Sequence, residues 1–458
     1  MGQVLRITAC INERVSAFIW GPYMLALFLL AGLYFSLRTG FFQVFRLKLW
    51  LSKTILACFR DKSVHTSSDK KTISQFQAMT TSLASSIGTG NIAGVATAIV
   101  LGGPGAVFWM WVSAFFGMMT GYAENVLGTH FRYKNSKNEL VGGPMAYMER
   151  GLRYRWMAVL FSFLAILASV GMGNMTQSNS IAAAMQELLN LPPLLTGVIA
   201  AAVVSLVIFG GIRRIAGVAE KLVPVMALVY IIGGLGLIFA NYRLLPGVFS
   251  AIFRSAFGLR AAGAGILGYS LAKAMRYGIA RGVFSNEAGL GSSALAHAAA
   301  DVKEPVIQGM WSIFEIFIDT IVVCTITALA ILLTGAESSG LSGTALTMAA
   351  FFTQYGKAGS IFITVSVIMF AFATIIGWNY FGEQAVDYLF GRRAVGVYKV
   401  LSVALCVVGA ASSLNFVWDL SDMFNGLMAL PNLIAILLLS ETVFSLTKDY
   451  LHRHSHHK

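Results

Sequence analysis

Residues 80–98 read TTSLASSIGTGNIAGVATA. The stretch is apolar and, at about 20 residues, long enough to cross a bilayer as a helix. It is also crowded with small and hydroxylated side chains and broken near its middle by Gly88-Thr89-Gly90-Asn91. Unpaired backbone amides and carbonyls are expensive in hydrocarbon. Irregular backbone at membrane depth therefore persists only where protein buries it or where it lines a cavity. Tight packing of a glycine-rich helix is the alternative reading. The adjoining Ser85, Ser86, Thr89 and Asn91 favour a site, because they add polar groups that packing alone does not need.

The rest of the chain demands a lipid solvent: 57% of its 458 residues are hydrophobic and only 12% are charged. Eleven apolar runs are candidate transmembrane helices, near 18–37, 78–100, 105–128, 156–188, 195–212, 216–240, 262–290, 307–333, 358–389, 397–412 and 416–440. Placing the N-terminus outside puts 24 of the 33 Lys and Arg residues in cytoplasmic loops or the tail, and the opposite orientation violates the positive-inside rule at nearly every loop. The C-terminus is then inside, in a bacterial-type cytoplasmic (inner) membrane. The net charge of +13 becomes a topological signature whose partner is the anionic headgroup layer, not nucleic acid. No cleavable signal peptide is visible, since Glu13 and Arg14 precede the first apolar run and the dense positive charge follows it. Cys10, Cys58, Cys324 and Cys406 show no paired spacing, so no cofactor or metal motif is supported. His452, His454, His456 and His457 read as a solvated tail.

One membrane domain is expected, 1–458, with a peripheral helix and cytoplasmic loop at 1–77 and a cytoplasmic tail at 441–458. Between them lie two five-helix halves, 78–240 and 241–440, each opening with a Gly-interrupted span. Five is odd, so the second half inserts upside down. That is the inverted-repeat plan of many secondary transporters, with a site where the two broken helices meet. Freed amides suit a carboxylate and freed carbonyls a hard cation, needs that an amino acid plus sodium satisfies.

Downstream stands GGPGAVFWMWVSAFFG, Gly102 to Gly117, in which Gly102-Gly103-Pro104 reads as a tight external turn and Phe108, Trp109 and Trp111 as interfacial anchors. This string resembles the signature of the sodium:alanine (or glycine) symporter family. The resemblance continues in order with GTGNIAGVATA, GGPMAYMERGL at 142–152, GNMTQSN at 173–179, ARGVFSNEAGLGSS at 280–293, FIDT at 317–320 and ALPNLIAILLLS at 429–440.

The resemblance implies an all-α fold of eleven transmembrane helices, one peripheral plus a 5+5 inverted repeat, as in the neurotransmitter:sodium symporters. It implies that the break at Gly88 forms the substrate site, with the Thr89 and Gly90 amides on the substrate carboxylate. Ser86 and Asn91 then lie near its amino group or a first cation, and the carbonyls of Ala84 and Ile87 contribute to a sodium site. In the ninth segment, AFATIIGWNY, Ala371 and Thr374 share a helical face and match a carbonyl and a hydroxyl offered to sodium. Trp378 follows one turn on and walls a small pocket; own-helix bonding and ordinary packing are the alternatives. Gln177 is implied as a substrate contact, while Asn174 and Asn179 serve equally well as interhelical hydrogen bonders. Asp319, on one face with Glu315, ligates sodium, carries a proton, or pairs with Arg276 or Arg281 as a structural bridge. Glu124, Glu287, Glu383 and Asp387 read as groups toward the cytoplasmic ends of their segments, in gating salt bridges or simply solvated, and segment seven unwinds either at 263–268 or at 278–291.

The function expected is import of alanine or glycine with sodium by alternating access. A proton-coupled permease on the same scaffold is the alternative. A channel would need a continuous polar pore. An enzyme would need a nucleophile with its base or a metal cluster, and His65, His130 and His297 have no partner at recognisable spacing. Oligomeric state and substrate enantiomer are not legible.

Overall fold

The computed structural model describes residues 19–69, 72–135, 139–258 and 264–455. Cys10, Arg14, Arg260, Gly263, His456 and His457 lie outside the described residues. Fourteen helices carry the argument. They are α1 (Pro22–Arg38), α2 (Gln75–Ser86), α3 (Ala93–Gly102), α4 (Gly105–His130), α5 (Arg155–Leu189), α6 (Pro193–Ile208), α7 (Gly211–Ala240), α8 (Ala264–Asn286), α9 (Ser293–His297), α10 (Pro305–Thr334), α11 (Lys357–Phe390), α12 (Arg392–Ala411), α13 (Leu414–Leu438) and α14 (Ser440–Ser455).

Among the described residues, seven helices are long and apolar enough to span a membrane: α4, α5, α7, α10, α11, α12 and Phe416–Leu438 within α13. The stretch Gln75–Ser86 plus Thr89–Gly102 qualifies only as a pair, bent by 54° at its break. The helices α1 and α6 are apolar but shorter. The chain is thus a multi-pass helical membrane protein. Short helices, Leu245–Ala256 and Gly343–Tyr355, follow α7 and α10, between the apolar runs.

Local sequence explains the first break. Helix α2 starts on a capping box: the Ser74 hydroxyl accepts from the Gln77 amide, and the Gln77 side chain accepts from the Ser74 amide. It ends where Ile87 and Gly88 leave helical dihedrals, Gly88 becoming extended at φ −134°, ψ −154°. A single tight turn, Thr89–Asn91, precedes α3. The second break follows α8 at 287–292, so of the two stretches considered it falls at the end of 278–291 and one residue beyond, while Ala264–Asn286 is continuous helix. Here Glu287 (φ +59°), Gly289 (φ +93°) and Gly291 (φ +77°) are all left-handed. For a glutamate that conformation is strained by about 1–3 kcal/mol and persists only when its surroundings hold it.

Two spans carry π turns, Gly171–Met175 in α5 and Phe317–Cys324 in α10. Such turns widen a helix locally and free backbone groups, and they gather at functional sites. The first helix is not detached from the rest: Phe28 packs on Gly289, and Trp20 Nε1 donates to the Asp422 carbonyl at 2.9 Å.

Candidate functional site

The two breaks meet α5, α10 and α11 in the interior. At the first break the Thr374 hydroxyl of α11 lies 3.1 Å from the Ala84 carbonyl and 3.5 Å from that of Ile87. Its own helix offers a competing acceptor for the single hydroxyl proton, Phe370 O, also 3.1 Å away. Ala371 is fully buried one turn earlier. Gly88 is what lets these groups converge, since a Cβ there would fall 2.4 Å from Thr374 Oγ1 and 3.3 Å from Gln177 Oε1. A Cβ at Gly90 would press on Phe284 and Ser285 of α8 at 3.2–3.3 Å.

Gln177 reaches the break from just beyond the π turn of α5. Its Oε1 accepts the Thr89 amide at 3.2 Å, and its Nε2 donates to Met172 O at 2.9 Å. The side chain therefore faces the unwound amide with an acceptor rather than a donor. The Thr89 hydroxyl is buried with no hydrogen-bond partner among the described residues. Ser86 turns its hydroxyl back to its own helix, at Leu83 O and Ser82 O. Asn91 accepts the Gly88 amide at 2.9 Å and donates to Asp319 Oδ1 at 2.7 Å.

Asp319 sits on the π turn of α10, fully buried. Besides Asn91 it accepts from Ser285 at 2.9 Å and Thr320 at 2.7 Å. The structural bridge to Arg276 or Arg281 is not formed. Arg281 instead makes a two-toothed pair with Asp422 of α13, at 2.8 and 2.7 Å, beneath the Trp418 ring, and Arg276 lies over Tyr277. Phe284 stacks on Trp418, ring centroids 4.9 Å apart, which completes a cover beside Gly90.

Glu287 is the residue that sequence reasoning misplaced. It lies at the break itself, 2% exposed, and accepts from Trp378 Nε1 at 2.7 Å, Ser292 at 2.5 Å and Ser85 at 3.3 Å. Trp378 thus spans the site, hydrogen-bonded to Glu287 and packed on Gly173, where a Cβ would lie 2.3 Å from its own. Buried Glu124 of α4 holds the same unwound segment through the Gly291 amide at 3.0 Å and shares Asn432 with Tyr147. The left-handed stretch from Glu287 to Gly291 could not be placed by spacing alone, though its glycines marked the region.

The remaining candidates settle elsewhere. Asn174 donates to Ser402 and Asn179 to the Gly409 and Ser412 carbonyls, so both tie α5 to α12. His297 does have partners, Gln308 and Glu315. Glu383 is buried and ion-paired with Lys399 at 2.9 Å, the salt-bridge alternative of the sequence reading and not the solvated one. Among the described residues no group of three or more His, Cys, Asp or Glu side chains is arranged to hold a metal ion. A cavity of about 910 Å³ opens on the flank between α5, α6, α7 and α11, and its lining, which includes Ile199, Val203 and Val225, is almost wholly apolar. Its lining includes none of the groups that converge on the breaks.

Broken helices, a multi-pass architecture and polar groups converging on unwound backbone define a membrane transporter. The sodium:alanine symporter family profile matches residues 5–458, and the chain belongs to that family. Among its relatives, the sodium/alanine symporter AgcS of Methanococcus maripaludis is 43% identical over 446 residues, covering 96% of each chain. The probable sodium/glutamine symporter GlnT of Bacillus subtilis is 41% identical over 434 residues, 94% of this chain and 88% of that one. The crystal structure of MhsT in complex with L-phenylalanine superposes with a TM-score of 0.60 at 14% identity, covering 81% of this chain and 90% of that one, and so shares the fold. The neurotransmitter:sodium symporter-like arrangement expected from the sequence is the fold observed.

Proposed function

We propose that the protein imports a small neutral amino acid, alanine or glycine, together with sodium, by alternating access. In this reading the protein crosses the cytoplasmic membrane eleven times, N-terminus outside, with 78–240 and 241–440 as inverted halves. The observation that carries the reading is the convergence of Thr374 Oγ1 with the Ala84 and Ile87 carbonyls directly under the unwound Gly88. Three uncharged oxygens on two helices are the donor type that sodium, a hard cation, prefers. Ala371 O completes the set from the same face of α11.

The substrate carboxylate then sits on the Thr89 and Gly90 amides. Gln177 Oε1 already accepts from the Thr89 amide, so the turn presents its N–H to an incoming oxygen. Substrate displaces that acceptor, and the Gln177 amide turns its donor toward the carboxylate. Ser86, Asn91 and Asp319 serve the amino group or a first cation, with Asp319 supplying negative charge. Trp378, fixed between Glu287 and Gly173, limits side-chain length, which favours alanine or glycine over glutamine. Arg281, Asp422 and Phe284 close the site on one side.

One sodium ion entering down about 100 mV releases roughly 2.3 kcal/mol, and a tenfold gradient adds about 1.4 kcal/mol. The test is uptake of labelled alanine into proteoliposomes under a sodium gradient, with potassium replacing sodium and with glycine and glutamine as competitors. Sodium-driven accumulation blocked by glycine supports the reading. Accumulation indifferent to sodium, or blocked by glutamine alone, overturns the ion or the substrate respectively.

A further inference from the structure

Three short helices follow α1: Phe42–Phe45, Leu47–Lys53 and Ile55–Arg60. The second of them, the end of α1 and the tail helix α14 surround a pocket of about 680 Å³. That is within the roughly 300–1,000 Å³ of small-molecule sites. Half-buried Leu49, Phe444 and Leu451 give it an apolar floor, and exposed Arg38, Arg46, Lys48 and Lys448 give it a basic rim, with His452 and His454 alongside. Among the described residues that line it, none is acidic.

The nearby carboxylates do not neutralise this rim. Glu441 is taken by Arg38 at 2.7 Å, and Glu304 by Arg453 at 2.6 Å. Among the described residues, no ion pair or side-chain hydrogen bond engages Arg46, Lys48 or Lys448. Cations gathered around one apolar floor repel one another and attract an anion between them. The flanking surface says which kind of anion. Phe45 and Phe59 are 77% and 82% exposed, and Leu37, Leu47 and Leu56 are exposed on the same segment. Large apolar side chains interleaved with Arg46, Lys48, Lys53 and Arg60 are the pattern of a segment that lies in a bilayer interface. A soluble anion has no use for those side chains, whereas a lipid covers them.

We propose that this pocket binds the headgroup of an anionic phospholipid, which bridges α1 to α14. The phosphate oxygens accept from the Lys48 and Lys448 ammonium groups and the Arg46 guanidinium, and the glycerol end of the acyl chains lies over Leu49, Phe444 and Leu451. Basic pockets at the cytoplasmic ends of membrane helices hold such headgroups. On the topology proposed above both walls of this pocket are on that side, and the site itself requires only that they share one bilayer surface. The bridge matters because the direct link between the two helices, Arg38 to Glu441, is an exposed pair and contributes little. Helix α14 is tied in turn to a spanning helix, through the Thr447 and Tyr122 hydroxyls at 2.8 Å. A lipid held here therefore fastens the first helix and the tail helix to the bundle.

The experiment melts the full-length protein, stripped of lipid in a neutral detergent, with dioleoylphosphatidylglycerol, dioleoylphosphatidylcholine or inorganic phosphate added. Phosphatidylglycerol is expected to raise the melting temperature saturably, and the other two to leave it unchanged. A cation beside a headgroup is worth about fivefold in affinity, so Lys48→Gln combined with Lys448→Gln should raise the half-saturating phosphatidylglycerol concentration about 30-fold. Arg213→Gln combined with Lys221→Gln removes the same charge elsewhere on the surface and should stay within about twofold of wild type. An equal shift with phosphatidylcholine overturns the proposal, and so does a shift with inorganic phosphate alone, which marks a site for a soluble anion. Equal weakening in the two double variants shows a diffuse effect of charge and overturns it as well. Should the Lys48 and Lys448 double variant not fold, the substitutions are made singly, each expected to weaken binding about fivefold. No change in either single variant overturns the proposal.

Discussion

Thr374→Ala is the sharpest test of the proposed sodium site. Without a cation, the single proton of the Thr374 hydroxyl goes to the carbonyl of Ala84 or that of Phe370, each 3.1 Å away. With sodium bound, it must turn a lone pair to the ion instead. A neutral hydrogen bond contributes about 0.5–1.5 kcal/mol net, one to a charged group about 1.5–3 kcal/mol. Removing the hydroxyl loses the second in the bound state and the first in the empty state, a net loss of about 1–2 kcal/mol. That raises the sodium concentration for half-maximal uptake about 5- to 30-fold, while the maximal rate at saturating sodium changes little. Thr374→Ser keeps the oxygen and should stay within about threefold of wild type. The assay is initial uptake into proteoliposomes across a sodium series at fixed alanine. An unchanged sodium dependence in Thr374→Ala, or an equal defect in Thr374→Ser, refutes the ligand assignment.

Gln177→Glu sets a permanent carboxylate against the Thr89 amide, where the substrate carboxylate is proposed to bind. Alanine affinity should fall by at least about tenfold with sodium binding kept, read by calorimetry. Trp378→Phe keeps the ring on Gly173 but removes the donor to Glu287. Leaving a buried acceptor without that partner costs about 1–3 kcal/mol, so uptake should drop although the fold persists by circular dichroism. Arg281→Ala strands Asp422, whose side chain is 14% exposed. Breaking such a pair costs about 3–5 kcal/mol, and the melting temperature should fall accordingly; Asp422→Asn in the same background should recover part of it. Outside the spans, Ser68 holds the Asp301 carboxyl below its usual range. Its contribution is present above the ordinary carboxylate pKa and lost as pH falls through the lowered value. Asp301→Asn should therefore flatten the acid limb of the stability curve, a small effect because the group is largely solvated.

Much of this molecule was legible in one dimension because the lipid solvent leaves few choices. Apolar length marked α4, α5, α7, α10 and α11 to within a few residues, and Gly88-Thr89-Gly90-Asn91 marked the first break, since polar groups beside the glycines add what helix packing alone does not need. The family motifs pointed to Thr374, Gln177 and the carbonyls of Ala84 and Ile87, and the structure brings those groups within hydrogen-bonding reach of one another or of the same turn. Spacing on a single helix also showed that Ala371 and Thr374 share a face.

What spacing could not supply was partner choice between helices. Asp319 had two arginines within plausible reach in sequence, yet the π turn at Phe317–Cys324 directs it to Asn91 and Ser285, and Arg281 goes to Asp422. Glu287 and His297 resembled helix-end groups until the left-handed turn from Glu287 to Gly291 folded them inward, onto Trp378 and Glu315. The sequence by itself determined the solvent, the longest spans and the place where the first helix unwinds, because these follow from hydrophobic length and local backbone chemistry. Only the tertiary structure decided which buried charge meets which donor, because those contacts join residues on different helices, from 18 to 228 positions apart, through the crossing of helices.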